Sequence, residues 1–330
     1  MSDRTPAVSR TRVAVRALLD TATSGGHLEP GCLDVACSGG ADSLALAAAA
    51  VYEGHRRGLV VRGVVVDHGL QPGSREVAER AAEQLVGLGV DETLVLRPEV
   101  AGGGGVEAAA RRARYQALRG ALRDPRQLVL LGHTLDDQAE TVLLGLGRGS
   151  GPRSISGMRA LDPPWGRPLL GCSRAVTARA CRELGLEPWT DPHNSDPRFT
   201  RVRLRREVLP LLEEVLQGGV AEALCRTSAQ LREDGAALDQ WADEVLSRAG
   251  SDQGHGALEV RAVEGAPVAV RRRVLRGWLI SHGARELTDL HLRAVDDLVG
   301  RWRGQGGVWL PGGLVVERAH GRLQVGRPAG

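Results

Sequence analysis

The residues Ser38-Gly39-Gly40-Ala41-Asp42-Ser43 follow directly on the apolar run Leu33–Cys37 and lead into an alanine-rich stretch of helical character. Adjacent glycines let a backbone bend close to a ligand, and the free N–H groups of a helix start attract an anion. Ser38 and Ser43 can add hydroxyl donors. Asp42 would repel a phosphate on its own, so its presence fits a magnesium ion shared between carboxylate and phosphates. A tight strand-to-helix turn without a ligand accounts for the glycines but not for the whole string. The GxGxxG spacing of a dinucleotide turn is absent. The chain has no lysine, which excludes a lysine-bearing phosphate loop and a Schiff-base mechanism.

Further constellations sit beside other apolar runs. Asp67-His68-Gly69 closes the run Val60–Val66, which places polar groups at the carboxyl edge of a sheet, where open α/β sheets bind ligands. Glu107, Arg111 and Arg114 share a helix with Tyr115 and lie near one face, an arrangement equally suited to solvent or to phosphate. The stretch His133-Thr134-Leu135-Asp136-Asp137-Gln138-Ala139-Glu140-Thr141 follows another apolar run. Two acids at a helix start suit the helix dipole, and beside Asp42 they could also complete a metal site or orient a nucleophile. A last block holds Asp191, Asn194 and Asp196, followed by Arg201, Arg203, Arg205 and Arg206.

Between Leu146 and Arg182 there are seven arginines, the first of them Arg148, against the single acid Asp162. Such an imbalance reads either as a footprint for an RNA backbone or as a solvated basic loop. Aromatic residues make up only 3% of the chain, with Trp165 and Trp189 nearest this stretch. Recognition of a folded RNA by shape and phosphate therefore fits better than base stacking along a strand.

The elements that must carry these groups alternate. Strands are expected at Leu33–Cys37, Val60–Val66, Thr93–Leu96 and Leu128–Gly132, with helices at about 43–57, 75–88, 106–122 and 136–146. This pattern predicts an α/β fold, a doubly wound parallel sheet covered on both faces. Gly102–Gly105 reads as a flexible loop. Helices are expected near 174–185 and at 201–216, the latter containing Pro210, and Gly218-Gly219 marks a domain boundary. The expected domains are thus 1–217, with an arginine-rich segment 146–206 facing RNA, and 218–330. The second has helices at about 220–249 and 268–302 and short β runs at 307–310, 314–318 and 322–325, with Gly312-Gly313 as a hairpin turn. It is a smaller α+β domain, and its 15 arginines against 14 acids give it no strong basic character.

The bulk properties are those of a globular protein: 42% hydrophobic, 25% charged and a net charge of +3 over 330 residues. No apolar run is long enough to span a bilayer, and the arginine-bearing N-terminus lacks the apolar block of a signal peptide. A cytoplasmic protein is expected. Five cysteines without a CxxC pair, and histidines without zinc-ligand spacing, argue against a disulfide framework, a zinc knuckle or an iron–sulfur cluster.

The loop at Ser38–Ser43 resembles the PP-loop of the N-type ATP pyrophosphatases, which activate a carbonyl oxygen by adenylation. The best likeness within that group is to the tRNA(Ile)-lysidine synthase family, and it covers residues 30–215 well and the remainder more loosely. Asp67–Leu70 is similar to that family's second motif, residues 107–115 to its EAxARxxRY helix, and residues 132–141 to its GHxxDDQxET signature. The block from Asp191 resembles its DPSNxDxxxxRNRIR segment, with His193 in place of serine and Val202 in place of asparagine. The resemblance implies ATP and magnesium, with Ser38, Gly39, Gly40, Ala41, Asp42, Ser43, Asp67, His68, Arg111 and His133 around the nucleotide. It implies Asp42, Asp137 and Arg205 as catalytic groups, with Asp42 and Asp137 on the metal and Asp137 accepting a proton from the attacking amine. Asp136, Gln138, Glu140, Arg148, Asp191, Asn194, Arg201 and Arg203 would support the site or face tRNA. The implied partners are free L-lysine and an isoleucine tRNA with a CAU anticodon; a homodimer is left open. A thiolase is disfavoured by the missing CxxC, whereas a small-molecule amide synthetase and a non-catalytic nucleotide- or RNA-binding module stay as alternatives.

Overall fold

The computed structural model describes residues 6–28, 31–69, 73–100, 105–149, 151–192, 196–249 and 256–327. They divide into two compact units. The first comprises residues up to 147 together with 157–226, and the second comprises 148–156 together with 227 onward. The expected boundary at 217/218 lies within the final stretch of the first unit. The observed division falls inside one continuous helix (Val220–Ala249), which no glycine pair interrupts.

The first unit is built on a six-stranded sheet. Its strands are β1 (Cys32–Cys37), β2 (Val60–Val66), β3 (Glu92–Leu96), β4 (Leu128–Leu130), β5 (Leu161–Asp162) and β6 (Trp165–Gly166), in the order β3-β2-β1-β4-β6-β5. All neighbouring pairs are parallel except β5 with β6. The doubly wound parallel sheet is therefore present, with one short antiparallel edge strand. Alternate residues of β1 serve opposite faces, as a period of two requires. Leu33, Val35 and Cys37 enter a core shared with helices α1 (Ala7–Ser24), α2 (Ala41–His55), α3 (Ser74–Leu88) and α7 (Arg174–Glu183). Ala36 packs on the other face with Leu118 of α4 (Val106–Gly120) and Trp165. Strand order reverses at β1, between β2 and β4, so a crevice opens at the carboxyl ends of those strands.

Several elements differ from the sequence-based expectation. Helix α1 was not foreseen; Glu183 of α7 accepts the Ala7 and Val8 N–H groups (3.2 and 3.1 Å) and so closes the start of α1 from a distance. Strands β5 and β6 are not among the expected strands. A Cβ at Gly166 would stand 2.7 and 2.9 Å from the side-chain methyls of Leu130 and Leu18, which pack closely against β6. The expected helix 201–216 is three pieces: α8 (Thr200–Arg203), a π-helical turn (Leu204–Val208) and α9 (Leu209–Val215). Pro210 sits in the first turn of α9, where its missing N–H is not needed.

The second unit has the antiparallel sheet β7-β10-β9-β8, formed by β7 (Leu258–Glu259), β8 (Val308–Leu310), β9 (Leu314–Ala319) and β10 (Arg322–Gly326). Gly312 and Gly313, both at positive φ (80° and 72°), join β8 to β9. The expected helix 268–302 is interrupted after Ser281, giving two helices, Val268–Ser281 and Asp289–Gly300. They pack Val274, Leu275, Trp278, Val295 and Leu298 against Val316 and Leu323 of the sheet. No helix among the described residues is long and apolar enough to cross a membrane.

Candidate active site

The cradle is held by its own glycine geometry and hydrogen bonds. Gly39 lies at φ 79°, a left-handed conformation that strains other residues, and a Cβ there would meet Ala81 at 3.3 Å. Its carbonyl accepts the Trp189 N–H (2.9 Å). The Ser43 hydroxyl donates to the Gly40 carbonyl (2.9 Å) and accepts the Ser38 N–H (3.1 Å). Ser43 therefore ties the loop together, whereas the sequence reading had it as a donor to the ligand. Across the crevice, Gly132 lets β4 pass close to α2, since a Cβ would stand 3.1 Å from the Asp42–Ser43 backbone.

Two cavities meet at this loop. One, of about 370 Å³, has the apolar walls Val64, Val65, Val66, Val77 and Ala78 and carries Asp67, His68 and Asp191. The other, of about 490 Å³, is polar and carries Asp42, His133, Asp137, Arg174 and Arg205. Ser38, Gly40, Arg114 and Trp189 line both. A larger groove of about 540 Å³ around Arg12, Tyr52 and Arg56 touches none of these residues. Size alone therefore does not pick the site; convergence of polar groups does.

The acids of the polar cavity sit in unlike surroundings. Burial pushes the Asp42 carboxyl up to about 6; the Thr177 hydroxyl, which donates to it, offsets part of the rise, and the negative charge of Asp137 adds to it. Burial would raise Asp137 as well, but Arg174 and the Thr134 amide hold it below the usual carboxylate range. Asp137 and Thr134 exchange hydrogen bonds at the start of α5 (Leu135–Gly147): Thr134 N–H to the carboxylate at 2.8 Å, Asp137 N–H to Oγ1 at 3.4 Å. Such a capped, arginine-paired carboxylate holds a proton less readily than a free one. Glu140 is fully buried and gathers arginines: Arg205 Nε at 2.8 Å, Arg174 Nη1 at 3.0 Å and Arg201 Nη1 at 3.7 Å.

Two histidines of the cavities resist taking up a proton. Burial pulls His133 down to about 3, and the nearby Arg114 adds to the effect. His68 is lowered for the same reasons. The Nδ1 atoms of both are buried without a hydrogen-bond partner among the described residues. Asp67 accepts the Gly69 N–H (3.0 Å) and faces Arg97 at 3.5 Å.

The remaining expected residues divide. Ser38, Gly40, Ala41, Asp42, Ser43, Asp67, His68, His133, Asp137, Asp191 and Arg205 line one cavity or both. Arg111 does not: it is exposed and lies on the Tyr115 ring at 5.1 Å, and Arg114 stands between the cavities instead. Asp136 accepts the Arg174 N–H (2.8 Å) and starts α7. Gln138 clamps Met158 through its carbonyl and N–H (3.0 and 2.7 Å). Arg203 is an exposed partner of Glu207, and Arg148 is exposed and belongs to the second unit. Asn194 lies outside the described residues, as does His193.

Arg174, Thr177 and Trp189 were missed. Arg174 was counted within the basic stretch 146–182, but much of that charge is used internally. Arg174 contacts the three acids, Arg167 is buried on the Arg159 carbonyl (3.0 Å), Arg153 pairs with Asp239 (2.7 Å) and Arg179 with Glu183 (2.9 Å). The stretch is thus a weaker RNA footprint than its composition suggests.

A phosphate cradle at the switch point of a parallel sheet, with a carboxylate on the loop and His68, His133 and Arg114 lining the crevice, defines a PP-loop nucleotide-binding enzyme. Residues 12–212 match the family described as PP-loop domain, and residues 258–324 match the TilS substrate binding domain. The chain is 61% identical to a tRNA(Ile)-lysidine synthase of Rhodococcus erythropolis, covering 88% of this chain and 89% of that one. It is 55% identical to that of Mycobacterium tuberculosis H37Rv, covering 93% and 91%. The chain belongs to the tRNA(Ile)-lysidine synthase family. Among solved structures, a U34-tRNA thiolase from Methanococcus maripaludis matches with a TM-score of 0.55 at 17% identity, covering 69% of this chain and 79% of that one, a likeness of fold.

Proposed function

We propose that this protein joins free lysine to the wobble cytidine of an isoleucine tRNA with a CAU anticodon, in the cytoplasm, at the expense of ATP. The observation that carries the reading is the junction of the two cavities at Ser38, Gly40 and Arg114, next to the start of α2. The apolar cavity suits an adenosine and the polar one a triphosphate with the reacting groups. Arg114, for which no carboxylate partner is found among the described residues, then lies at the phosphates between them.

The cytosine 2-oxygen attacks the α-phosphorus of ATP and pyrophosphate leaves. The lysine ε-amine then attacks C2 of the ring, and the C2–O bond breaks to release AMP. A cytosine carbonyl is a poor electrophile and its oxygen a poor leaving group; adenylation corrects both. The α2 start, Arg114 and Arg205 offset charge that develops on the phosphates. No group of three or more metal-ligating side chains exists among the described residues. Asp42 and Asp137 on one cavity fit magnesium, which takes one or two carboxylates and completes its shell with phosphate oxygens and water. When bound, the ion neutralises phosphate charge. Of the two carboxylates, Asp42, when free of the ion, is better matched than Asp137 to take a proton from the attacking ammonium, because burial raises its affinity for one.

The deciding experiment follows AMP formation and transfer of radiolabelled lysine, with and without tRNA. AMP that depends on tRNA, together with label in the RNA, is the expected result. AMP formed equally without RNA, and no label in the RNA, would move the protein to small-molecule amide synthesis.

A further inference from the structure

Arg174 has more acidic neighbours than any other cation in the polar cavity. Its guanidinium meets Asp137 in a close ion pair, Glu140 through Nη1 at 3.0 Å and Asp42 through Nε at 3.7 Å. Its own N–H is fixed to Asp136, and Thr177, one turn further along α7, donates to Asp42. The first turn of α7 thus grips the acidic starts of both α2 and α5. Arg205 and Arg201 chiefly serve Glu140, and the nearer of them stands 3.8 Å from Asp137. The Asp42–Asp137 pair therefore depends on Arg174 for its counter-charge.

We propose that Arg174 is a positioning residue that acts as a built-in counter-cation for Asp42 and Asp137 and gives the pair up to a divalent cation when nucleotide enters. This rests on the reading that the pair holds the metal of an ATP-using site. Two neighbouring carboxylates repel each other unless a cation stands between them. A guanidinium supplies one positive charge, a divalent ion two. Glu140 gives the displaced arginine a retained partner, so leaving the pair does not strand a buried charge. Competition of this kind keeps the metal-free site assembled while making it a weak site for the ion alone.

The test is thermal unfolding of the full chain, without nucleotide, across a Mg²⁺ or Mn²⁺ titration. The proteins compared are wild type, Arg174→Gln, Arg174→Lys, and Arg174→Gln combined with Asp42→Asn. Arg174→Gln should be less stable in chelator, and metal should restore it at concentrations on the order of tenfold lower than those that stabilise wild type. Arg174→Lys should respond like wild type, and Asp42→Asn should erase the gain. A folded Arg174→Gln protein with the wild-type metal response overturns the proposal. Should that variant not fold, the ¹⁵N resonance of Arg174 Nε in the wild-type protein decides: a saturable shift on adding Mg²⁺ upholds the competition, and no shift defeats it. Lysine transfer by wild type is measured in parallel. Transfer with an unaltered metal response sinks the role of Arg174 alone, whereas absent transfer counts against the proposed function and leaves the metal titration to judge Arg174.

Discussion

Asp42 and Asp137 line one cavity from the first turns of two different helices, and the charge of Asp137 helps to hold Asp42 in its protonated form. The consequence for stability has a definite sign. Asp42 binds its proton more tightly when folded, up to about pH 6, than the ordinary carboxylate value near 3.8. The protonated residue therefore favours the folded state at low pH, and that contribution is lost as pH rises through about 6. The loss is at most on the order of 3 kcal/mol. Asp42→Asn keeps an acceptor for Thr177 and removes the charge. In chelator at pH 8 it should melt higher than wild type, and at pH 4 the two should coincide, while AMP formation is abolished. Equal melting temperatures at pH 8 would contradict the strained carboxylate.

Asp137→Asn should separate two duties. The side chain caps α5 through Thr134, and asparagine can still accept one of those bonds; the ion pair with Arg174 is lost but Arg174 keeps Glu140, so stability should fall by about 1–3 kcal/mol. Adenylation should fall much further, by roughly 10²-fold or more, because the variant lacks the fixed negative charge. Pyrophosphate release and calorimetric unfolding, measured on one preparation, check both parts. Normal turnover would remove Asp137 from the chemistry.

Arg114 and Arg111 offer a comparison within one helix. Arg114 lines both cavities, and Arg111 lies exposed on Tyr115. Arg114→Gln should raise the KM for ATP about tenfold or more, the effect of losing a charge-assisted phosphate contact. Arg111→Gln should leave it within about twofold. Steady-state kinetics on the pair tests the placement, and a reversed order would restore the sequence-based choice of Arg111.

What the sequence made legible was whatever is local. Ser38–Ser43 could be placed because a strand, a glycine pair and a helix start are contiguous, and His133–Thr141 likewise joins a strand to a helix start. Arg114 and Arg111 lie three residues apart on the same helix, and which of them meets the crevice depends on how α4 rotates against the sheet. Packing decides that, with Leu118 and Tyr115 set against Trp165. Arg174 was hidden for a different reason. Its partners Asp42, Asp137 and Glu140 come from two distant helices, so its charge counted as surplus within its own stretch. The π-helical turn that carries Arg205 left no signal either, because one extra residue in a turn is a backbone adjustment to Glu140 and the cavity.

The most buried ion pair of the sheet was equally invisible, since Val60–Val66 reads as an apolar strand despite Arg62. Asp34 of β1 is 1% exposed and Arg62 of β2 is 4% exposed. They form a two-pronged bridge with both contacts at 2.7 Å. Gln127 adds a bond to Asp34 at 2.6 Å, and the Ala121 carbonyl accepts from Arg62 at 2.9 Å. Removing one partner strands the other, so Arg62→Met should cost about 3–5 kcal/mol. Asp34 alone in that layer would have to take up a proton to stay buried, so the deficit should shrink as pH falls. Replacing both, Asp34→Leu with Arg62→Met, should recover much of the loss, because an apolar pair carries no desolvation penalty. Recovery should be incomplete, since Gln127 and the Ala121 carbonyl each lose a partner. Urea unfolding of the two single variants and the double variant measures the coupling. Losses that simply add would mean that the bridge, for all its burial, is not what joins β1 to β2 in this layer.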